Sequence, residues 1–459
     1  MAQKLNTAPP KGSRDFLPGD VRRREHVLSV VRRVYSRYGF EPLETPTMER
    51  LETLLGKYGD EGDQLIFRVL HRGETLRSVL AAGKTIEERD LADSGLRYDL
   101  TVPLARVYAE HQAELPRFFK RYQIQPVWRA DRPAKGRFRE FYQCDVDIIG
   151  SDSLVCEVEV TSALSEVLDE LGFKDAVIRL NHRDLLSGLI EASGIPKELE
   201  ITAITALDKL DKIGAEGVQK ELEGRGVTTA AAQALLQKAA LAATATSNDS
   251  LLAALAEAVK GSTAGEKGVA ELRQLLAYAA SAPCRSHLKV DASLARGLSY
   301  YTGPIFEIQV PDLAGSLGGG GRYDNLIGMF LGRRVPAVGF SLGLERILVV
   351  MEERKMFPPL DAGAEVMVLR VEEATTPETL KVASALRAAG ISTELYPNVD
   401  KLGRQFQYAA ERGAKLAVFI GARERDAGTV AVKVLATQQQ SEQKQPELAR
   451  AVLGLLGRG

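Results

Sequence analysis

The sequence predicts an α+β fold with a strand-rich core, a helical block inserted into it, and a small α/β domain at the carboxyl end. Two strand-like runs lie between residues 118 and 150. Residues 184–283 are rich in Ala and Leu and have the pattern of one helix after another. Strand and helix patterns alternate over residues 363–459, which is typical of an α/β domain. The core is therefore expected in two pieces, residues 1–183 and 284–359.

The bulk composition is that of an ordinary globular protein. The 459 residues are 45% hydrophobic and 26% charged, with a formal net charge of -1. A near-zero charge neither supports nor excludes a nucleic-acid partner, because a basic face can be balanced elsewhere. The three cysteines show neither metal-ligand spacing nor a disulfide framework, so we expect a reducing compartment, the cytoplasm. No apolar run is long enough for a membrane span, and we expect no membrane association.

A first helix is predicted over residues 21–38, where Val27, Val31 and Val34 fall on one face. Gly39 is placed to end it, since glycine adopts the left-handed conformation without strain. An extended stretch containing Pro46 follows, and then a second helix.

The second strand-like run alternates in polarity. One face carries Phe141, Gln143, Asp145 and Asp147, and the other carries Tyr142, Cys144, Val146 and Ile148. Period-two alternation indicates a strand, and its polar face implies a neighbour that requires polar groups. A helix is predicted next, over residues 153–171.

The loop between the two runs is strongly basic. It holds Arg129, Arg132, Lys135, Arg137 and Arg139. Guanidinium groups concentrated over a hairpin suit a polyphosphate, to which they donate paired, charge-assisted hydrogen bonds. The alternative is a solvated basic loop, but the polar face of the second strand favours a ligand site.

Two glycine-containing segments leave their function open. In the first, Arg296 precedes a glycine and leads into Tyr300 and Tyr301; packing is the simpler interpretation of that tyrosine pair on its own. In the second, four glycines at 318–321 would allow a close approach to a ligand or a tight turn, and a flexible loop explains them equally well. Neither segment has the pattern of a phosphate-binding loop.

Two residue pairs also allow two interpretations. Glu345 and Arg346 lie in the first turn of a predicted helix, where an arginine opposes the helix dipole. Arg346 therefore has either an external anion or a local ion pair with Glu345 or another acid. Asp99 and Thr101, two residues apart, would share one face of a strand and hold an ammonium group, or they would cap a turn before Pro103.

Taken in order, these segments resemble the core of class II aminoacyl-tRNA synthetases. The first helix and the stretch with Pro46 resemble the first motif of that class, residues 127–150 the second, and residues 338–346 the third. The segments ARGLSYYTG and GGGGRYDNLIG resemble signatures of the histidyl-tRNA synthetases, and KGSRDFLP resembles that family's opening. The resemblance covers the whole chain, least closely in the helical insert.

The resemblance implies a sheet of six or seven antiparallel strands flanked by helices, and a C-terminal anticodon-binding domain. It also implies a homodimeric ligase that uses ATP and Mg²⁺. Such an enzyme converts L-histidine to histidyl-adenylate and pyrophosphate, and then transfers histidine to the 3′-terminal adenosine of tRNA(His). The first motif would build the dimer interface. A separate hypothesis is that the helical insert clamps the acceptor stem of the tRNA.

Roles around ATP follow from the same resemblance. Arg129 would bind the α-phosphate and the histidine carboxylate, with Arg296 on the opposite side of that phosphate. Arg346 would cover the adenine and reach the γ-phosphate, while Phe141 would stack on the other adenine face. Further nucleotide contacts would come from Asp131 and Arg137.

The predicted histidine site comprises, besides Arg129 and Arg296, the residues Asp99, Leu100, Thr101, Gln143, Asp147, Tyr300 and Tyr301. Asp99, Thr101 and Gln143 would hold the ammonium group. Asp147 and Tyr301 would bracket the two ring nitrogens. Analogues that lack those nitrogens would leave buried polar groups unpaired, and would therefore be rejected.

The basic hairpin loop would contact the acceptor end of the tRNA. Ala134 stands where some family members carry a polar residue that reads the extra 5′ guanosine, so Arg132 or Arg139 would serve instead.

Two rival interpretations are a non-catalytic regulatory subunit of ATP phosphoribosyltransferase and a class II synthetase for another amino acid. The three predicted phosphate-binding arginines and the C-terminal domain argue against the first, and the ARGLSYYTG segment against the second. A pure RNA-binding module would leave the adenylate-type site unexplained.

Overall fold

The computed structural model describes residues 5–58, 62–82, 85–296, 300–313, 315–360 and 363–458. The chain divides into two units, Met1–Phe357 and Pro358–Gly459, and hydrophobic side chains form a core in each. In the described ranges no helix is long and apolar enough to span a membrane.

The first unit is built on strands. They are β1 (Glu41–Pro42), β2 (Met48–Arg50), β3 (Arg68–Val69), β4 (Ser94–Leu96), β5 (Phe119–Trp128), β6 (Glu140–Ile149), β7 (Val177–His182), β8 (Leu288–Val290), β9 (Pro304–Gln309), β10 (Gly318–Arg322) and β11 (Ala337–Gly343). Eight of them form one sheet, in the order β1-β5-β6-β11-β10-β9-β7-β8, and β2-β4-β3 form a small separate sheet.

The centre of the large sheet is antiparallel, as predicted. From β5 to β7, each of the six neighbouring strands runs opposite to the next. The short strands β1 and β8 add one parallel pairing at each edge, which the prediction did not include. Runs of two and three residues are too short for a periodicity argument to find.

Helices cover the sheet and form the block between β7 and β8. The α-helices of this unit are Pro18–Arg37, Leu51–Leu54, Gly73–Ala81, Glu88–Leu91, Thr101–His111, Val155–Glu170, Arg183–Glu191, Glu200–Leu207, Leu210–Gly224, Thr229–Ala239, Leu241–Thr244, Asn248–Ala258, Thr263–Ala279, Gly328–Leu331 and Leu344–Glu353, with 3-10 turns at Lys197–Leu199 and Pro283–Ser286. The last helix of the block packs against Val155–Glu170 and Arg183–Glu191. The block therefore shares its core with the sheet.

The first helix shows how local sequence sets an element. It begins at Pro18, three residues before the predicted start, because the fixed φ of proline suits a first helical turn. Val27, Val31 and Val34 are buried on one face, as predicted. Gly39 follows with φ +73°, the left-handed conformation expected at that end.

The second unit is a mixed five-stranded sheet with helices. Its strands are β12 (Val366–Arg370), β13 (Thr393–Leu395), β14 (Leu416–Ile420), β15 (Thr429–Val434) and β16 (Gln440–Lys444), in the order β13-β12-β14-β15-β16. Its helices are Thr376–Ala388, Leu402–Glu411, Ala422–Ala427 and Leu448–Leu455, with 3-10 turns at Glu373–Thr375 and Gln445–Glu447. Strand β16 was not predicted, because this edge strand is mostly exposed and has no apolar face.

Candidate active site

One face of the large sheet carries polar side chains and glycines in rows that cross the strands. A row of directly opposed residues runs through Gln123, Asp145, Ser341, Gly319, Glu307 and Arg179. A parallel row runs through Arg121, Asp147, Gly339 and Gly321. Opposed residues share one face of a sheet. The polar neighbours predicted for the second strand-like run are therefore present on both of its sides.

The glycine run is a strand of this sheet, so the flexible-loop interpretation was wrong. A Cβ on Gly319 would overlap the guanidinium group of Arg296, and a Cβ on Gly339 would overlap the Asp147 carboxylate. Close approach was the right physical reason for these glycines. The groups that approach are side chains of the protein itself.

Arg129 lies between two aromatic rings. Its Cζ is 4.2 Å from the ring centroid of Tyr98 and 5.2 Å from that of Phe141. Its Nε donates to the carbonyl oxygen of Tyr98 at 3.0 Å. Among the described residues, no carboxylate lies within ion-pair distance of this guanidinium group. Cation–π contacts orient Arg129 without neutralising it.

Arg296 lies across the same face, with 20% of its side chain exposed. Its Nη1 is 3.4 Å from Glu307 Oε2, and its Cζ is 5.9 Å from the ring centroid of Tyr301. Its Nε is buried without a hydrogen-bond partner among the described residues. Residues 297–299 of the ARGLSYYTG segment lie outside the described residues.

Arg346 does not pair with Glu345, and among the described residues no other acid lies within ion-pair distance of it, so the local ion-pair interpretation was wrong. Glu345 is 3.1 Å from Arg24 and accepts the backbone N–H of Tyr142 at 3.0 Å. Arg346 instead donates to the carbonyl oxygen of Ser316.

The guanidinium groups on this face repel one another. Burial, followed by the charges of Arg137, Arg129 and Arg296, lowers the pKa of Arg346 below its usual value. Two of the four have an acidic partner: Arg137 Nη2 lies 2.7 Å from Asp131 Oδ1, and Arg296 Nη1 lies 3.4 Å from Glu307 Oε2. Arg129 and Arg346 have none within ion-pair distance among the described residues. A cationic cluster of this kind is stabilised by a polyanion.

Asp99 and Thr101 do not lie on a strand, so the expectation that they share one face of a strand was wrong. β4 ends at Leu96, and Thr101 begins the helix Thr101–His111. Asp99 accepts the backbone N–H of Val102 at 3.0 Å, which is the kind of hydrogen bond that the capping alternative predicts. Asp99 is 4% exposed, and this burial raises the pKa of its carboxyl group. Leu100 between them is fully buried.

The other predicted histidine ligands lie on or beside the polar face. Gln143 donates to the Ser341 hydroxyl at 2.7 Å, and its Oε1 is buried without a partner among the described residues. Asp147 accepts from the Tyr323 hydroxyl. The ring of Tyr300 contacts that of Tyr301 at 4.9 Å and that of Tyr323 at 6.1 Å.

Residues missed by sequence reasoning lie behind these ligands. Arg121 is fully buried, with Nη2 2.8 Å from Asp147 and 3.9 Å from Asp145. Burial raises the pKa of Asp145 to about 7, and the charge of Arg121 opposes that rise. Tyr58 donates to Asp99 at 3.0 Å. Arg121 lies directly opposite Asp147 on the neighbouring strand, and this relationship could have identified it only if the register of the two strands had been known.

The two arginines expected at the tRNA acceptor end differ in their surroundings. Arg132 is exposed in the hairpin loop. Arg139 is half-buried: its Nε donates to the carbonyl oxygen of Asp131 at 3.2 Å, and its backbone N–H donates to Gly12 at 2.8 Å.

A sheet with an antiparallel centre and an arginine-rich polar face is the arrangement expected from the resemblance to class II aminoacyl-tRNA synthetases. A family model described as "Histidyl-tRNA synthetase" matches residues 12–347, and one described as "Anticodon binding domain" matches residues 365–455. The chain belongs to the histidyl-tRNA synthetase family.

Full-length relatives support this assignment. The chain is 40% identical to the histidine–tRNA ligase of Flavobacterium johnsoniae, over 97% of this chain and 98% of the relative. It is 43% identical to that of Porphyromonas gingivalis, over 94% and 95%. A crystal structure of histidyl-tRNA synthetase from Nostoc sp. PCC 7120 matches with a TM-score of 0.78 and 32% identity, over 98% of this chain and 99% of that one.

The reaction follows from the family. The enzyme is a ligase that activates histidine with ATP and attaches it to its tRNA. Its substrates are therefore ATP, histidine and tRNA. A protein titled "ATP phosphoribosyltransferase regulatory subunit/histidyl-tRNA synthetase", from Bacillus halodurans, shares the fold with a TM-score of 0.69 over 88% of this chain and 97% of that one. Its 20% identity shows likeness of fold alone.

Proposed function

We propose that the polar face of the large sheet performs the first step, in which the histidine carboxylate attacks the α-phosphate of ATP. The observation that supports this most is the cluster of four guanidinium groups, of Arg129, Arg137, Arg296 and Arg346. Two anions must approach each other and pyrophosphate must leave. Fixed cations in a water-poor site lower the free energy of that transition state.

The two catalytic residues in this proposal are Arg129 and Arg296. Both bind the α-phosphate from opposite sides and also contact the histidine carboxylate. A carboxylate oxygen forms the new bond to phosphorus as the bond to the departing pyrophosphate breaks. Tyr98 and Phe141 keep Arg129 in place without cancelling its charge.

The remaining contacts with the nucleotide are assigned to residues around Arg129 and Arg296. Arg346 covers the adenine and reaches the γ-phosphate, and Phe141 stacks on the opposite face of the base. Asp131 holds Arg137 at 2.7 Å and places it toward the nucleotide. Mg²⁺ would enter with ATP, as part of that substrate, and would offset negative charge on the phosphates.

Histidine recognition is assigned to the buried ligands beside the cluster. Asp99, Thr101 and Gln143 hold the ammonium group, next to Leu100; the unpartnered Oε1 of Gln143 supports this assignment. The ring nitrogens are assigned to Asp147 and Tyr301, with Tyr300 alongside. A neutral, apolar ring in this pocket would leave the buried Asp147 without a substrate partner.

The test is ATP–pyrophosphate exchange with each standard amino acid offered separately, without tRNA. Exchange is expected with histidine alone, and a loss of at least about 100-fold is expected for Arg129→Ala and for Arg296→Ala. Arg354→Ala is the matched control, because Arg354 pairs with Asp175 and Asp312 away from this face. Full activity of Arg296→Ala would overturn the assignment of that residue.

We further propose how the chain divides its work on the tRNA. Residues 1–183 and 284–359 form the catalytic part, 184–283 the insert that clamps the acceptor stem, and 363–459 the anticodon-binding domain. Arg132 is our first candidate for reading the extra 5′ guanosine and Arg139 the second, because Arg132 is the more exposed. Single-turnover charging by Arg132→Ala of transcripts with and without that guanosine tests the assignment, and unchanged discrimination would refute it.

A symmetric homodimer in the cytoplasm completes the proposal. Symmetric dimers are the commonest oligomers, and all three cysteines are free and buried, as suits a reducing compartment. Sedimentation equilibrium of the purified enzyme tests the dimer, and a monomer mass at micromolar concentration would refute it.

A further inference from the structure

A group of charged residues at the far end of the polar face connects the helical block to the sheet. Its centre is Arg179 on β7, whose side chain is 7% exposed. Arg179 Nε lies 2.8 Å from Asp291 Oδ2, while Nη1 lies 2.7 Å from Asp211 Oδ2 and 3.4 Å from Glu307 Oε1. Its Nη2 donates to the Ser293 hydroxyl at 3.1 Å. One nearly buried cation thus joins three parts of the fold.

Two of these contacts lead directly to Arg296. Glu307 is shared, because its second oxygen lies 3.4 Å from Arg296 Nη1. Asp291 begins the segment that ends at Arg296, and it accepts both the N–H and the hydroxyl of Ser293. Asn181, two residues after Arg179, donates to the carbonyl oxygens of Ala292 and Leu294 in the same segment.

Sharing Glu307 has an electrostatic consequence. If Glu307 faced only Arg296, it would neutralise the charge that the α-phosphate requires. Arg179 offsets part of the carboxylate charge of Glu307. Glu307 therefore orients Arg296 while the Arg296 end of the group keeps a net positive charge.

The third contact comes from the helical block. Asp211 lies in the first turn of Leu210–Gly224, ahead of a break at Gly214 (φ +69°), and its side chain is 59% exposed. A shift of that turn would remove a carboxylate from Arg179 and change the charge balance at Glu307.

We propose that Arg179 is a positioning residue for Arg296, and that its ion pair with Asp211 ties the placement of Arg296 to the position of the helical block. This inference rests on the proposed role of Arg296 in adenylate formation. It gives acceptor-stem binding by the block a route to the site of the chemistry.

The test uses the full-length enzyme and the substitution Asp211→Asn, at the exposed end of the group. We expect the kcat of histidine-dependent pyrophosphate exchange to fall about threefold to thirtyfold, the range of coupling carried by side-chain networks, with the Tm unchanged. Asp175→Asn is the matched control, since it removes a similarly exposed carboxylate from Arg354, outside the polar face. Exchange by Asp211→Asn within twofold of the wild type would overturn the proposal.

Double-mutant cycles separate positioning from a general structural effect. If Asp211 acts through Arg296, the substitution Asp211→Asn has no further effect in an Arg296→Lys background, nor in a Glu307→Gln background. The same loss in all three backgrounds would overturn the proposal. Undiminished exchange by Arg296→Ala would instead refute the proposed function itself, so the two failures are distinguishable.

Discussion

Gly319 and Arg296 occupy one space: the guanidinium group of Arg296 lies where a side chain of residue 319 would begin. Residue 319 of β10 is therefore a glycine for a steric reason, on the polar face of the large sheet. Arg296 lies against the backbone of the sheet and is held there by Glu307.

The substitution Gly319→Ala is expected to displace Arg296 and leave the fold intact. A displacement of about 1 Å at a reacting group costs about 100-fold in rate. We expect that loss in the kcat of histidine-dependent pyrophosphate exchange. Gly224→Ala is the control, because nothing lies within 4 Å of a Cβ built there. Wild-type exchange by Gly319→Ala would mean that Arg296 is not needed where it lies.

Tyr58→Phe tests the support of the proposed ammonium ligand Asp99. The Tyr58 hydroxyl donates to Asp99 at 3.0 Å, and a hydrogen bond to a charged group contributes about 1.5–3 kcal/mol. We expect the KM for histidine to rise at least about tenfold, while the KM for ATP stays constant. Tyr98→Phe is matched in chemistry: its ring lies 4.5 Å from that of Tyr58 and would remain under Arg129. Equal effects of both variants would argue against a role for the Asp99 hydrogen bond.

The sequence allowed one strand of the site to be predicted in detail and the site as a whole only by resemblance. The alternation from Phe141 to Asp147 placed the polar face correctly, because side-chain direction has a period of two in any strand. Arg121, Glu307 and Arg179 were missed because each lies on a different strand. Their proximity depends on register between segments far apart in the chain, which no local pattern encodes.

Two local arguments failed for identifiable reasons. A flexible loop was given equal weight for the glycine run because glycine usually marks turns, but in β10 Gly319 makes room for Arg296. Asp99 and Thr101 were placed on a strand by spacing alone. Asp99 instead precedes a helix that begins two residues later and accepts the backbone N–H of Val102 in its first turn, and a separation of two residues cannot distinguish these cases.

Asp145→Asn is expected to stabilise the enzyme in a pH-dependent way. Burial raises the pKa of Asp145 to about 7 in the folded state, whereas an exposed aspartate titrates near pH 4. Between those values the unfolded chain binds fewer protons than the folded one, so this group lowers stability as pH rises. The Tm of the variant minus that of the wild type should therefore grow by about 2–4 °C from pH 5 to pH 7.5.

Asp175→Asn is the comparison variant, because its carboxyl pKa is shifted in the opposite direction from that of Asp145. The hydrogen bond from Arg354 lowers the pKa of Asp175, so its removal should give no gain in Tm at the higher pH. A Tm difference for Asp145→Asn that is flat or falls with pH would contradict the assignment of a raised pKa to Asp145.

Arg346→Gln is expected to stabilise the enzyme without ATP and to impair it with ATP. Burial and the charges of Arg137, Arg129 and Arg296 lower the pKa of Arg346, which means that its charged form is disfavoured in the folded protein. Removing that charge relieves the repulsion, so the Tm without ligand should rise by about 1–3 °C, and less in high salt, where repulsion is screened. The increase in Tm caused by ATP should shrink, because one phosphate partner is lost, and the KM for ATP should rise about tenfold or more.

Arg354→Gln is the control, because the bond to Asp175 raises the pKa of Arg354 and its loss should lower the Tm. A fall in the ligand-free Tm of Arg346→Gln, or an unchanged response to ATP, would show that Arg346 is not destabilised by its charged neighbours in the free enzyme and stabilised by bound ATP.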